Sequence, residues 1–312
     1  MFDRRQLLAG IGAAAGAALQ QARPQTGGGR DARAPRTVAP PDLLKEALRY
    51  KKTDSHCHLG FGETAKLLEA ADRLGIDKLA VSIPRGPQPE EFRASNDRVL
   101  SAMKEHPDRL LGQCFINPVY QKESIEEIVR CVNEGMIGPG ELYDQVKISD
   151  PLYYPIIEKC IEMKAPLLMH CRADLGLLRK GYRTAALPNT SIPDDFAAIG
   201  RRYPEAIFIE GHIGGGGDWE WMCKTIREVP NVYLDTSGSV SDEGMVDFAV
   251  RALGVERLLF ATDLNFESGV GKILAAKLTE QQRRAIFYDN YAGILERSRA
   301  GRPRSQGGGH AS

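Results

Sequence analysis

The sequence predicts an α/β fold, a single-domain (β/α)8 barrel. Short apolar runs alternate with longer amphipathic segments across residues 42–297. A strand followed by a helix, repeated eight times in roughly 250 residues, is typical of a closed parallel barrel surrounded by helices. The alternative is an open, doubly wound sheet. That fold usually carries a glycine-rich phosphate-binding loop after an early strand, and Gly60-Phe61-Gly62 is too short to form one.

The strands are predicted from apolar runs bounded by turn residues, and the helices from amphipathic periodicity. The predicted strands are Lys52–His58, Leu79–Pro84, Leu110–Ile116, Gln145–Ser149, Pro166–Cys171, Ile207–His212, Val232–Thr236 and Leu258–Asp263. The predicted helices include Glu63–Leu74, Ser124–Asn133, Pro155–Met163, Trp219–Val229 and Glu243–Leu253.

The two ends of the chain differ in composition from the barrel. Residues 1–22 contain the pair Arg4-Arg5 near their start, followed by a short Ala/Gly-rich apolar run. This arrangement resembles a twin-arginine export signal. We therefore expect recognition by the twin-arginine machinery and a periplasmic or secreted protein. The other interpretation is an N-terminal tail without a targeting role. Residues 23–41 predict a flexible linker, and residues 298–312 a disordered tail.

Charge and hydropathy limit the classes of partner. Lys plus Arg and Asp plus Glu number 41 each, so the formal net charge is zero. Binding to nucleic acid or to a membrane surface usually requires a basic excess, so neither is expected. The apolar run of residues 1–22 is too short to span a bilayer, and no membrane association of the mature protein is expected. A small-molecule substrate is expected, and the sequence leaves open whether the chain forms a homo-oligomer.

Histidines are concentrated at the ends of predicted strands, where barrel enzymes build their active sites. Four of the six histidines end or follow strands, and Asp263 ends the last strand; the four are His56, His58, His170 and His212. Side chains two apart on a strand share a face, so His56 and His58 can chelate one ion. The other interpretation of this pair is two hydrogen-bonded barrel histidines. Imidazole and carboxylate ligands suit Zn²⁺, Mn²⁺, Fe²⁺ or Co²⁺.

The order of these motifs resembles the amidohydrolase superfamily, in particular its amidohydrolase-related type 2 branch. The resemblance extends from about Lys51 to Leu295, and no single motif carries it. The matching stretches are Asp54–Gly60, Gln145–Ile148, Pro166–His170, Glu210–Gly215, Ala261–Asp263 and Asp289–Ala292.

The resemblance implies one catalytic divalent ion, for which we expect Zn²⁺, with Mn²⁺, Fe²⁺ and Co²⁺ as alternatives. Its implied ligands are His56, His58, His170 and Asp263, with His212 beside the ion. Lys147 occupies the position where some relatives carry a carbamylated lysine that bridges two metals. Because the type 2 branch usually lacks this bridge, we expect one ion, with two as the alternative and Lys147 as a substrate-orienting ammonium.

The resemblance favours a metal-dependent hydrolase that acts on an amide, ester or lactone. Metal-bound water would attack, Asp263 would transfer the proton, and His212 would polarise the substrate. Arg85, Arg172 and Arg179 are candidate partners of a substrate carboxylate. One alternative is a nonoxidative decarboxylase of an aromatic or unsaturated acid on the same scaffold. A further alternative is a metal-containing barrel that binds without catalysis.

Overall fold

The computed structural model describes residues 42–143, 145–173, 188–213 and 215–300. Within this part of the chain the strands are short and parallel. They are β1 (Thr53–His58), β2 (Lys78–Ser82), β3 (Leu110–Gly112), β4 (Leu167–Met169), β5 (Phe208–Glu210), β6 (Val232–Asp235) and β7 (Leu258–Leu259).

Helices follow nearly every strand, as the amphipathic segments predict. They are α1 (Leu43–Ala47), α2 (Thr64–Arg73), α3 (Pro89–Glu105), α4 (Gln121–Asn133), α5 (Tyr154–Glu162), α6 (Pro193–Arg202), α7 (Trp219–Ile226), α8 (Met245–Leu253), α9 (Phe266–Ala275), α10 (Glu280–Arg284) and α11 (Asn290–Ala300). Short 3₁₀ turns cover Pro118–Tyr120, Pro151–Tyr153 and Val255–Arg257, and a π-helical turn covers Ala285–Asp289.

The strands close into a barrel through two irregular junctions. One sheet has the order β1-β2-β3 and the other β4-β5-β6-β7. Residues 139–142 lie between them, with parallel bridges from Pro139 to Cys114 and from Leu142 to Met169. On the other side, the amide of Ser55 donates to the carbonyl of Phe260 over 2.9 Å. The seven strands and the segment 139–142, together called the eight staves of the barrel, form the (β/α)8 barrel that the sequence predicts.

The predicted fourth strand, Gln145–Ser149, is wrong. Its described residues form turns, in which Ile148 donates its amide to the hydroxyl of Ser191 over 2.9 Å. The fourth stave lies earlier, at residues 139–142, and glycines flank its start. A Cβ at Gly138 would collide with the carbonyl oxygen of Pro166, and one at Gly140 would lie 2.8 Å from Cβ of Leu168. Close packing of backbones therefore selects glycine here, and glycine carries no strand pattern.

Alternate residues of the staves supply two separate apolar layers, as expected for strands with one face inward. The layer inside the barrel is closed by side chains of α11; its members are Ala80, Leu111, Ile137, Leu168, Ile209, Leu259, Tyr291 and Ile294. The larger layer lies between staves and helices and includes Cys57, the residue between the two histidines of β1. The apolar interior places polar chemistry at the ends of the staves.

The ends of the chain lie mostly outside the described residues. The predicted export signal at residues 1–22, the linker at 23–41 and residues 301–312 of the predicted tail all do so. Helix α11 continues through Ala300, three residues beyond the predicted end of the barrel, and buries Ser298. In the part of the chain that the structure describes, no helix has the length and hydropathy needed to cross a bilayer.

Candidate metal centre

The ends of the staves bring a group of buried imidazoles and carboxylates together. His56 and His58 belong to β1, and the other members follow or end later staves; they are Glu141, His170, His212, Asp235 and Asp263. All but Asp263 are buried. The sequence predicted the four histidines and Asp263 as site residues, and it did not predict Glu141 or Asp235.

Glu141 lies at the centre of the four histidines. Its Oε2 lies 3.4 Å from Nε2 of His56 and 3.3 Å from Nε2 of His58. Its Oε1 lies 2.9 Å from Nδ1 of His170 and 3.0 Å from Nε2 of His212. Each carboxylate oxygen thus faces its own pair of rings.

In two of these rings, a serine hydroxyl holds the nitrogen that faces away from Glu141. Nδ1 of His58 lies 3.2 Å from Oγ of Ser82, a hydroxyl that also accepts the amide of Glu141 over 3.0 Å. Nδ1 of His212 donates to Oγ of Ser237 over 2.8 Å. With Nδ1 as the donor, Nε2 of each ring presents a lone pair toward Glu141, which is the tautomer that a metal ligand needs.

Asp235 fixes the orientation of two histidines at once. Its Oδ2 accepts a hydrogen bond from Nδ1 of His56 at 2.7 Å. Its Oδ1 accepts the amide of His212 at 2.9 Å and the hydroxyl of Ser237 at 2.6 Å. Burial raises the pKa of Asp235, but the charges of His56 and His212 and the hydrogen bond from Ser237 outweigh it and lower that pKa to about 2. Because its oxygens are already bonded, Asp235 orients ligands rather than serving as one.

Two site residues adopt left-handed backbone conformations. The φ angles are 71° at His212 and 48° at Asp263. Such conformations cost residues other than glycine about 1–3 kcal/mol each and concentrate at functional sites. Here they turn the chain sharply as it leaves β5 and β7, which directs both side chains toward the ends of the staves.

Attraction between the imidazoles and the carboxylates of the cluster shifts the pKa values of both. Burial raises the pKa of Glu141, but His56, His170 and His212 outweigh it and hold that pKa well below its usual range. Burial lowers the pKa of His56, whereas the carboxylates of Glu141 and Asp235 raise it further, to well above its usual value. A buried carboxylate thus requires a cation beside it, supplied by protonated imidazole or by a metal ion.

The distances among these groups fit a divalent ion. Ligands about 2.0–2.1 Å from a tetrahedral ion lie roughly 3.3–3.4 Å apart. Nε2 of His56 lies 3.3 Å from Nε2 of His58, and both lie at 3.3–3.4 Å from Oε2 of Glu141. These separations are long for hydrogen bonds. In addition, Nε2 of His170 is buried without a hydrogen-bond partner. The donor set, of imidazole and carboxylate, suits a first-row divalent ion.

The other predicted site residues lie at different distances from this cluster. Asp263 reaches it through Oδ1, 3.1 Å from Nε2 of His58, and its side chain is 32% exposed. Lys147 instead forms an ion pair with Asp195 at 3.6 Å. The carboxylate of Glu141, and not Lys147, therefore occupies the end of the fourth stave. Arg172 is partly buried just after His170, and Arg179 lies outside the described residues.

A cavity of about 370 Å³ adjoins the cluster on the side of His58. It is lined by the loop after β1 and by residues around the start of α9, including Phe61, Leu67, Leu264 and Phe266. The ring of Phe61 is exposed, and the guanidinium of Arg85 lies over it, 4.6 Å from its centroid. An aromatic ring therefore lines this cavity, and the cation that stacks on the ring is not one of the lining residues.

Comparison with known families identifies the family of this chain. A family model described as Amidohydrolase matches residues 85–292, about two thirds of the chain. The chain belongs to the amidohydrolase family. The resemblance to the type 2 branch of the amidohydrolase superfamily is thereby confirmed.

Two relatives of this amidohydrolase are named for different reactions. A gamma-resorcylate decarboxylase from a Polaromonas species is 25% identical over 255 residues, 67% of this chain and 77% of the relative. A 2-keto-4-carboxy-3-hexenedioate hydratase from a Sphingobium species is 22% identical over 242 residues, 66% of this chain and 71% of the relative. These relatives are enzymes, which supports an enzymatic role, and neither name describes a hydrolase.

Solved structures confirm the barrel. A 2,6-dihydroxybenzoate decarboxylase from Rhizobium superposes with a TM-score of 0.63 at 18% identity, over 79% of this chain and 99% of the other. A dihydroxybenzoic acid decarboxylase from Polaromonas, solved with bound manganese, gives 0.62 at 17% identity, over 79% and 97%. These structures show the fold; a divalent metal in this amidohydrolase is supported by the imidazoles and carboxylates of the cluster itself, and they do not single out the expected Zn²⁺.

We expect Asp235→Asn to weaken metal binding about 10–100-fold, the usual effect of removing a group that orients a ligand. The amide cannot accept from both His56 and Ser237 as the carboxylate does. Titration of the metal-free amidohydrolase with Mn²⁺, followed by calorimetry, measures the effect. Asp242→Asn, an exposed residue on the loop after β6, serves as the matched control. Equal affinities of the two variants would contradict the orienting role of Asp235.

Proposed function

We propose that the protein is a metal-dependent, nonoxidative decarboxylase of a small aromatic or unsaturated carboxylic acid. The observation that carries this proposal is the cavity beside the histidine cluster, which His58 and Phe61 line, with the guanidinium of Arg85 stacked on the Phe61 ring. The decarboxylase names of the relatives favour this alternative over the expected hydrolysis. The manganese in related structures makes Mn²⁺ the first ion to test, before Zn²⁺.

The residues placed to hold the ion are His56, His58 and Glu141, with Asp263 beside His58. When bound, a divalent ion supplies positive charge that can neutralise oxygen atoms of the substrate. Phe61 is placed to stack on an aromatic ring, and Arg85 to pair with a carboxylate. Together these side chains would orient the acid toward the cluster.

The proton required by the reaction can come from this chain. When the carboxylate leaves as CO₂, the electron pair of the broken C–C bond remains on carbon and must take up a proton. We assign its delivery to Asp263, which is the most exposed carboxyl group of the cluster. Protonated Asp263 gives its proton to that carbon and then takes up a proton from solvent, so the net change is carboxylate plus one proton to CO₂ plus the product with a new C–H bond.

Hydrolysis is the second candidate, because one observation favours it. Both Glu141 and Asp263 lie close to Nε2 of His58, at 3.3 and 3.1 Å. A carboxylate base is therefore present beside the metal position to take a proton from water. Its substrates would be the esters, lactones and amides that the family resemblance suggested.

A substrate panel separates the two reactions. We expect the Mn²⁺-loaded protein to release CO₂ from 2,6-dihydroxybenzoate-like or unsaturated acids, and Asp263→Asn to lower that rate about 10²–10⁴-fold. Asp242→Asn should retain it. Hydrolysis of esters or lactones without CO₂ release from any acid would reject decarboxylation in favour of hydrolysis.

A further inference from the structure

A buried lysine holds the turn that follows β6. Lys272 belongs to α9, and its relative exposure is 8%. Its Nζ donates to the backbone carbonyls of three successive residues, over 3.3 Å to Thr236, 3.3 Å to Ser237 and 2.6 Å to Gly238. An ammonium group has three N–H donors, so these carbonyls use its full capacity. Lys272 is therefore placed to bind the backbone of this turn rather than a substrate.

The turn needs a cation because of its own shape. Three successive carbonyl oxygens converge on one point, and their partial negative charges repel one another. Gly238 permits this convergence with a φ of 94°, in the left-handed region that favours glycine. Burial lowers the pKa of Lys272 to about 8, whereas the carboxylates of Asp235 and Asp263 raise it, so the ammonium is largely charged at neutral pH. Without that charge, we expect the turn to relax so that the carbonyls diverge.

The middle residue of this turn contacts the groups that orient two histidines. Ser237 accepts a hydrogen bond from Nδ1 of His212 over 2.8 Å. Its hydroxyl and its amide both donate to Oδ1 of Asp235, over 2.6 and 3.0 Å, and Oδ2 of Asp235 holds Nδ1 of His56. Lys272 thus holds the carbonyl side of Ser237, and the metal centre depends on its hydroxyl side. A shift of this backbone would turn both rings.

We propose that Lys272 is a positioning residue of the metal centre, which acts through Ser237 on His212 and His56. It belongs to the helix that follows Asp263, so it links the segment after β7 to the turn after β6. Its effect is to fix the turn before the ion binds, so that less ordering accompanies binding. The inference rests on the metal dependence of the proposed function and assigns Lys272 no contact with the ion or the substrate.

The opposite end of β6 provides a matched control. Arg257 has a similar relative exposure of 6%, and it donates to the carbonyl of Val232, the first residue of β6, over 2.9 Å. It also donates to three carbonyls at and just after the end of α7. Removal of either cation leaves buried carbonyls without that donor, so both variants should lose stability. Of these two residues, Lys272 is the one bonded to Ser237.

Calorimetric titration of the metal-free, full-length protein with Mn²⁺ tests the inference without a substrate. We expect Lys272→Met to weaken Mn²⁺ binding about 10-fold, and Arg257→Met to change it by less than about 2-fold. Both variants should lower Tm in the presence of a chelator. In a Ser237→Ala background, Lys272→Met should weaken binding by a further factor of less than about 2, because residues that act as one unit are not additive.

Three results would overturn the positioning role. One is an equal loss of affinity in Lys272→Met and Arg257→Met, which general destabilisation would explain. Another is unchanged affinity in Lys272→Met. The third is a further loss of about 10-fold in the Ser237→Ala background, because Lys272 would then act by another route. Where a methionine variant fails to fold, Lys272→Gln and Arg257→Gln, which keep an amide donor, replace the pair with the same expectations.

The outcomes are distinct from those of the decarboxylase test. The expected pattern of affinities without CO₂ release would support the positioning role and reject the proposed function. CO₂ release with equal affinities of the lysine and arginine variants would do the reverse.

Discussion

Glu141→Gln is expected to abolish metal-dependent activity, with a loss of at least about 10³-fold, or about 4 kcal/mol of activation free energy. The amide removes the negative charge that faces four imidazoles, and its NH₂ group can place a donor where a ligand oxygen is needed. Metal content should fall as well, because the charge of the carboxylate offsets that of the bound cation.

Activity and bound manganese are measured on the same preparation of Glu141→Gln. Glu134→Gln, at the exposed end of α4, is the matched control, since its ion pair with Arg130 lies at the surface and contributes little to stability. A Glu141→Gln protein that retains both full metal content and full activity would show that this carboxylate is not part of the centre.

Removal of the metal should destabilise the whole barrel. At a free ion concentration about 1,000 times the dissociation constant, binding stabilises the folded state by about 4 kcal/mol, which corresponds to roughly 10 °C in Tm for a domain of this size. Thermal unfolding with excess Mn²⁺ and after treatment with a chelator measures the difference. His58→Asn, which loses a ligand, should show a much smaller one.

The effect of the metal on Tm should decrease as the pH falls. Burial lowers the pKa of His58, but hydrogen bonds to Asp263 and Glu141 outweigh it and raise that pKa, and the pKa of His56 is raised well above its usual value. In the metal-free protein these imidazoles retain protons to higher pH, and that proton-linked stability is lost as the pH rises through the raised values. Metal binding requires neutral rings, so the stabilisation by Mn²⁺ should increase over the same range. A Tm difference that is unchanged between acidic and alkaline buffer would argue against histidine ligands.

The sequence was sufficient to predict the barrel and most of the cluster, because these follow from simple periodicity. Apolar runs locate every stave except the fourth, and polar residues at their ends locate His56, His58, His170, His212 and Asp263. The same strand-end rule applies to Asp235, at the end of β6, although an aspartate after a strand can equally cap a helix.

Glu141 could not be predicted in the same way. Its stave is short and flanked by glycines, whereas Gln145–Ser149 alternates as a strand should. The stave is selected by the close approach of backbones, a property of three-dimensional packing that propensity does not record. The type of reaction is harder still, because the same ligands serve hydrolysis and decarboxylation. Phe61, which lines the cavity, and Arg85, which stacks on it, meet only in the folded chain.

The tight packing of the fourth stave has a consequence for the choice of ion. Pro166 and Leu168 crowd Gly138 and Gly140, and the amide of Glu141 is tied to Ser82. The backbone of this carboxylate therefore has little room to shift when a larger or smaller cation enters. Adaptation to ionic radius must come from tilting of the rings and from Asp263, the exposed member of the cluster. Discrimination among Mn²⁺, Fe²⁺, Co²⁺ and Zn²⁺ is therefore expected to be governed by how far the segment after β7, which carries Asp263, can move.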